Sequence, residues 1–194
     1  RGHARAPQFH RPVGQRQIHV RLAGDGIMQT GCIPLIGIGF RRHIFIHQIV
    51  GDLQGNARRI LDAWSDARRA SADLTVTPEL SLCGYPPEDL LLRPSFVDAC
   101  ARELALLAGA VSAGVLTVGF PERVDGRCHN AVAVIRDGRV ADVYRKQQLP
   151  NYTVFAEERY FEPGTLPCVF EVERVRVGVV ICEDIWHPGP AAQA

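Results

Sequence analysis

Residues 129–146 read HNAVAVIRDGRVADVYRK, and the fold is decided here. HNAVAVIR and RVADVYR are strand-like, rich in β-branched residues, and they flank Asp137-Gly138. That dipeptide suits a two-residue type I′ turn, whose central residues both need positive φ, so the stretch is an antiparallel hairpin. Working upstream, VLTVGF (115–120) reads as a strand, and ADLTVTPEL (72–80) as a nearly continuous apolar, central one that Pro78 brings to an end. HIFIHQIV (43–50) has the β-branched and aromatic content of a first strand. Two helices fall between these strands. Asn56 is placed to cap one that runs to about Ala70, with Ile60, Leu61, Trp64 and Ala67 on its apolar face. Ser95 with Asp98 fits a capping box opening the other, to about Leu107, after a loop enforced by Pro86, Pro87 and Pro94. Downstream of the hairpin, residues 147–165 read as loop, followed by VFEV (169–172) and the almost wholly apolar VRVGVVICED, a strand ending at Cys182 and Glu183. Strand-helix-strand-helix-strand followed by antiparallel pairs predicts an α/β protein with a mixed sheet, in which strand ends carry the chemistry.

Composition bounds the rest. A chain of 194 residues, 46% hydrophobic and with formal charge +1, has room for one well-buried domain and no global pull toward nucleic acid or membrane. Residues 1–50 carry seven Arg against one Asp, but these are dispersed and barely interleaved with aromatics, so a nucleic-acid-binding tail is not expected. Residues 1–42 show no period and are expected to be irregular or disordered. No apolar run approaches the roughly 20 residues of a membrane span, and no signal-peptide pattern is visible. The six cysteines show neither a CxxC pair nor zinc-ribbon spacing, which predicts no metal site and a reduced, cytoplasmic setting.

Three strand-end residues offer chemistry. Glu79, Lys146 and Cys182 lie 67 and 36 residues apart, so only a fold could bring them together. A thiolate is a strong nucleophile toward a carbonyl, a glutamate in a dry site can act as its base, and a fixed ammonium can stabilise the oxyanion. Lys146 is also the only lysine in the chain, against 21 arginines, where a compact ammonium offers what a guanidinium does not. Composition and spacing leave the alternatives open, since a glutamate after a strand also caps helices and a cysteine closing an apolar strand also packs.

TPELSLCGYPPEDLLLRPSF, VYRKQQLPNYTVFAEERYFEPG and VGVVICEDIWHPGP resemble the carbon–nitrogen hydrolase (nitrilase) superfamily. More narrowly they resemble the glutamine-hydrolysing domain of glutamine-dependent NAD+ synthetases. The likeness runs from about His43 to the C-terminus and makes residues 43–194 the N-terminal part of such a domain. It implies a four-layer α-β-β-α sandwich of the nitrilase type, C-terminally incomplete, with Glu79 as general base, Lys146 as oxyanion stabiliser and Cys182 as nucleophile. Glu157 matches a second, supporting glutamate, and Tyr85, Tyr152, Phe155 and Glu183 match residues about the glutamine pocket. The implied substrate is L-glutamine, with no cofactor in this domain. ATP and magnesium would belong to a synthetase domain outside this sequence, and homo-oligomers are common in the family. Two other readings stand beside this one: a hydrolase of another small amide, and a non-catalytic binding domain. Because the chain stops a dozen residues after Cys182, it is expected to be poorly stable and weakly active by itself.

Overall fold

The structure, a computed structural model, describes residues 47–152 and 156–194 and the short strand β1 (Val20–Leu22). Of residues 1–42 only this strand is described, and it pairs in parallel with β2 (Leu74–Val76). The first half of the strand expected over 43–50 lies outside the described residues. Its second half is not a strand, because the Asn56 side chain occupies the backbone groups that pairing would use. Its Oδ1 accepts from Ile49 N–H at 2.9 Å and its Nδ2 donates to Ile49 C=O at 2.8 Å. Asn56 is therefore not a cap but a fully buried residue inside α1 (Leu53–Arg69), and the cap is Asp52, whose carboxylate accepts from Gly55 N–H.

Helix α2 (Pro94–Ala110) also differs at its start. No side chain caps it. Pro94 supplies the preset φ of a first turn, while Asp98 forms an ion pair with Arg123 instead of closing a box with Ser95.

Strands β3 (Val115–Val124), β4 (Arg127–Arg136) and β5 (Arg139–Arg145) complete a five-stranded sheet in the order β1-β2-β3-β4-β5, parallel up to β3 and antiparallel beyond. Asp137 and Gly138 take φ of +52° and +73°, as the two-residue turn demands. Both faces of this sheet are buried, and strand alternation sorts the residues. Leu116, Val118, Phe120, Ala133 and Ile135 pack against Ile60, Ala63, Leu104 and Leu107 of the helices. Val115, Val132, Val134 and Tyr144 face the other way, onto Phe170, Val172, Val177 and Val179 of the hairpin β6 (Cys168–Val172) and β7 (Val175–Val179).

A fourth layer is present too. Val177 and Val179 point inward, so Gly178 faces out, and a Cβ placed there would lie 2.6 Å from the Cβ of Ala194. The end of α3 (Pro188–Gln193) thus rests on the outer face of β7, giving the layer order α-β-β-α. Among the described residues no helix is long and apolar enough to cross a membrane.

Candidate active site

Three chain segments converge at one end of the sandwich. After β2 the chain turns through Glu79 and runs close beside β3, where Gly119 makes the approach possible: a Cβ on Gly119 would sit 2.5 Å from Leu80 N and from Pro78 O. One step past the last β4–β5 ladder pair, Lys146 N–H donates to Asn130 C=O at 2.8 Å. By strand alternation Asn130 and Lys146 share the face of Val132 and Tyr144, directed between the two sheets. The third segment leaves β7 at Val179, three residues before the end expected from the apolar run. Cys182 instead opens a five-residue 3-10 helix, Cys182–Trp186, at a φ of +44°. A non-glycine residue in that left-handed region is strained, and such strain concentrates at functional positions.

Side chains close the gap between the segments. Lys146 Nζ donates to Glu79 Oε1 at 2.7 Å and to Glu157 Oε1 at 2.9 Å, with its side chain wholly buried. Burial alone would lower the lysine pKa, but the two carboxylates outweigh it and the net direction is upward, so the ammonium stays charged. Burial, and then the neighbouring Glu79 charge, push the Glu157 carboxyl up to about 7 against the pull of Lys146. Cys182, half-buried, faces the same charges. Its thiol is pushed up to about 11, by burial first and Glu79 next, with Lys146 opposing and Glu157 and Glu183 adding to the push. The resting thiol is therefore protonated at neutral pH and needs a base before it can attack.

The remaining expected residues fall in two groups. The half-buried Tyr85 looks onto this cluster, its phenol raised by burial and by Glu79 and Glu157. Tyr152 is exposed and donates its hydroxyl to Glu183 Oε2 at 2.8 Å, so this pair forms a rim beside Cys182. Phe155 lies outside the described residues. Among the described residues no three His, Cys, Asp or Glu side chains are grouped so as to hold a metal ion.

Reading the sequence alone missed two residues at the site. Asp184, fully buried, accepts Gln147 N–H at 3.1 Å and Gln148 N–H at 2.8 Å on Oδ1. Its Oδ2 accepts the Tyr144 hydroxyl at 2.7 Å and Ile181 N–H at 3.0 Å. One carboxylate thus ties the backbone just past Lys146 to the turn that bears Cys182. Asn130 is the other, donating from Nδ2 to Glu79 Oε1 at 2.6 Å. An asparagine at an inward-facing position of a strand is the only local sign it gives.

Comparison with known proteins gives the family. The carbon-nitrogen hydrolase family profile matches residues 44–193. The glutamine-dependent NAD(+) synthetase of Xanthomonas campestris pv. campestris is 46% identical over 147 residues, which make up 74% of this chain and 27% of that protein. The chain therefore spans about a quarter of the length of the curated relatives it matches. Among solved structures, the glutamine-dependent NAD+ synthetase of Acinetobacter baumannii, in complex with ADP, has a TM-score of 0.73 at 38% identity, covering 76% of this chain and 28% of that one. A mutant amidase from Nesterenkonia sp. AN1, in which acrylamide has added to the active-site cysteine, has a TM-score of 0.66 at 25% identity, covering 76% and 58%.

Proposed function

Because this chain belongs to the carbon–nitrogen hydrolase family, we propose that it is a cysteine amidohydrolase acting on the side-chain amide of L-glutamine. The ammonia released would serve an NAD+ synthetase domain that uses ATP and magnesium, while this domain works without a cofactor, in the cytoplasm and within a homo-oligomer. The observation that carries the reading is the buried ammonium of Lys146 held between Glu79 and Glu157 beside the Cys182 thiol. Identity of 46% to a glutamine-dependent NAD(+) synthetase supports the choice of glutamine and of the synthetase partner.

Each residue then has a task. Glu79 takes the Cys182 proton as sulfur bonds to the amide carbon. The oxyanion that forms is met by Lys146, an ammonium with three N–H donors of which two are engaged by carboxylates, and by the Glu183 backbone N–H. Collapse of the tetrahedral adduct breaks the carbon–nitrogen bond, and the proton held by Glu79 goes to the departing ammonia. Water, deprotonated by Glu79, hydrolyses the γ-glutamyl thioester and returns the thiol. The sum is glutamine and water to glutamate and ammonia. Glu157 holds Lys146 and the amide in place, and Tyr85, Tyr152 and Glu183 line the substrate's approach; Phe155 is assigned to the glutamine pocket by the family resemblance alone.

The test is covalent labelling. A glutamine-analogue electrophile is expected to modify Cys182 alone, read by peptide mass spectrometry, and glutamine to yield one ammonia per glutamate. Cys182→Ala is expected to lower turnover on the order of a thousandfold or more. Labelling spread over Cys83, Cys100 and Cys128, or turnover that survives the substitution, would overturn the reading. The likeness to an amidase favours a second substrate class, small amides without an amino acid head group. Faster ammonia release from acetamide than from glutamine would select it.

A further inference from the structure

Asn130 is 1% exposed, yet it satisfies only half of its polar capacity there. Its Nδ2 donates to Glu79 Oε1, while its Oδ1 is buried with no partner. A buried acceptor without a donor costs stability, and an apolar residue of similar size would avoid that cost. The amide cannot escape by turning over, because its oxygen would then meet the Glu79 carboxylate at the 2.6 Å now bridged by a hydrogen bond. The fold therefore tolerates an orphaned oxygen to keep an N–H on Glu79.

What that N–H does follows from where it lands. Lys146 Nζ and Asn130 Nδ2 both donate to Oε1 of Glu79, and among the described residues no hydrogen bond reaches Oε2. Two donors on one oxygen fix the plane of the carboxylate and leave the other oxygen free. The charged or titratable neighbours of the thiol are Glu79, Lys146, Glu157, Glu183 and Tyr85. Glu157 also accepts from Lys146 on Oε1 and feels the Asn130 amide, but its other oxygen is buried without a partner and its carboxyl is pushed up toward the protonated form. That leaves Glu79 as the carboxylate presented to the thiol. We propose that Asn130 is a positioning residue which, with Lys146, occupies Oε1 of Glu79 and presents Oε2 as the atom that takes the Cys182 proton. This rests on Glu79 being the base and Cys182 the nucleophile, as proposed above, but not on the identity of the amide substrate.

The experiment compares the purified chain with its Asn130→Leu variant, following alkylation of Cys182 by iodoacetamide residue by residue with mass spectrometry, alongside ammonia release from glutamine. Near neutral pH the variant is expected to alkylate roughly ten- to a hundredfold more slowly, the worth of a hydrogen bond to a charged group. The gap is expected to close at alkaline pH, where hydroxide replaces Glu79 as the base, and the melting temperature is expected not to fall. An unchanged rate near neutrality would overturn the proposal. So would a gap that persists undiminished at alkaline pH, since it would mean a displaced thiol and not a misaligned base. Should the leucine not be accommodated, Asn130→Ala, which cannot overpack, gives the same comparison. A wild-type chain that alkylates at Cys182 and releases ammonia from acetamide but none from glutamine would sink the glutamine reading and leave this one standing.

Discussion

At the scale of single residues, Lys146 is clamped between two carboxylates, Glu79 and Glu157. The Glu157 carboxyl is raised from its ordinary 4.5 to about 7 because burial and Glu79 penalise its ionised form. The folded state thus holds a proton that the unfolded chain gives up. Its contribution to stability is complete below pH 4.5 and is lost as pH rises through about 7. Melting temperatures across that window are expected to fall for the wild-type chain relative to Glu157→Gln, which has no proton to lose. Parallel curves would mean that Glu157 is ionised throughout. Lys146 is shifted upward as well, so its own contribution is kept until strongly alkaline pH and does not disturb the comparison.

At the scale of elements, the decisive joint is the one between the end of β5 and the turn that carries Cys182. Asp184 receives four hydrogen bonds there, three from backbone N–H groups and one from Tyr144. Asp184→Asn would turn one carboxylate oxygen into a donor facing donors, leaving buried groups unpaired at about 1–3 kcal/mol each. A lower denaturant midpoint and a loss of turnover per folded chain are expected together, whereas Tyr144→Phe, which removes one bond, should cost about 1 kcal/mol. A midpoint unchanged in Asp184→Asn would rule out the joint. The range of such contacts explains what could be read beforehand. The β4–β5 hairpin is legible because Asp137-Gly138 encodes its turn locally, whereas Glu79, Lys146 and Cys182 stand out only as candidates, through chemical type and family likeness, and their meeting is a property of the fold. Asp184 and Asn130 do not stand out, since their partners lie 40 and 51 residues away and neither residue type announces a buried role. Asn56 misled for a related reason: a good helix cap by composition, it is spent imitating a strand partner for Ile49.

At the scale of the molecule, two cores meet across one sheet. Leu116 and Ile135 belong to the helical side, and Val132 and Val134 to the β6–β7 side, so the central strands are buried on both faces and their ends open onto a shared seam. The site sits at that seam, which makes its integrity a property of the whole sandwich. A sole lysine whose side chain is wholly buried has an analytical consequence. Apart from the chain's terminal amine, an acylating reagent such as an N-hydroxysuccinimide ester finds one amine to react with, and finds it only when the layers part. Acetylation of Lys146, timed by mass spectrometry, is therefore expected to track sub-denaturing urea in step with loss of catalysis. Rapid acetylation in the absence of urea would show that the seam breathes freely in water.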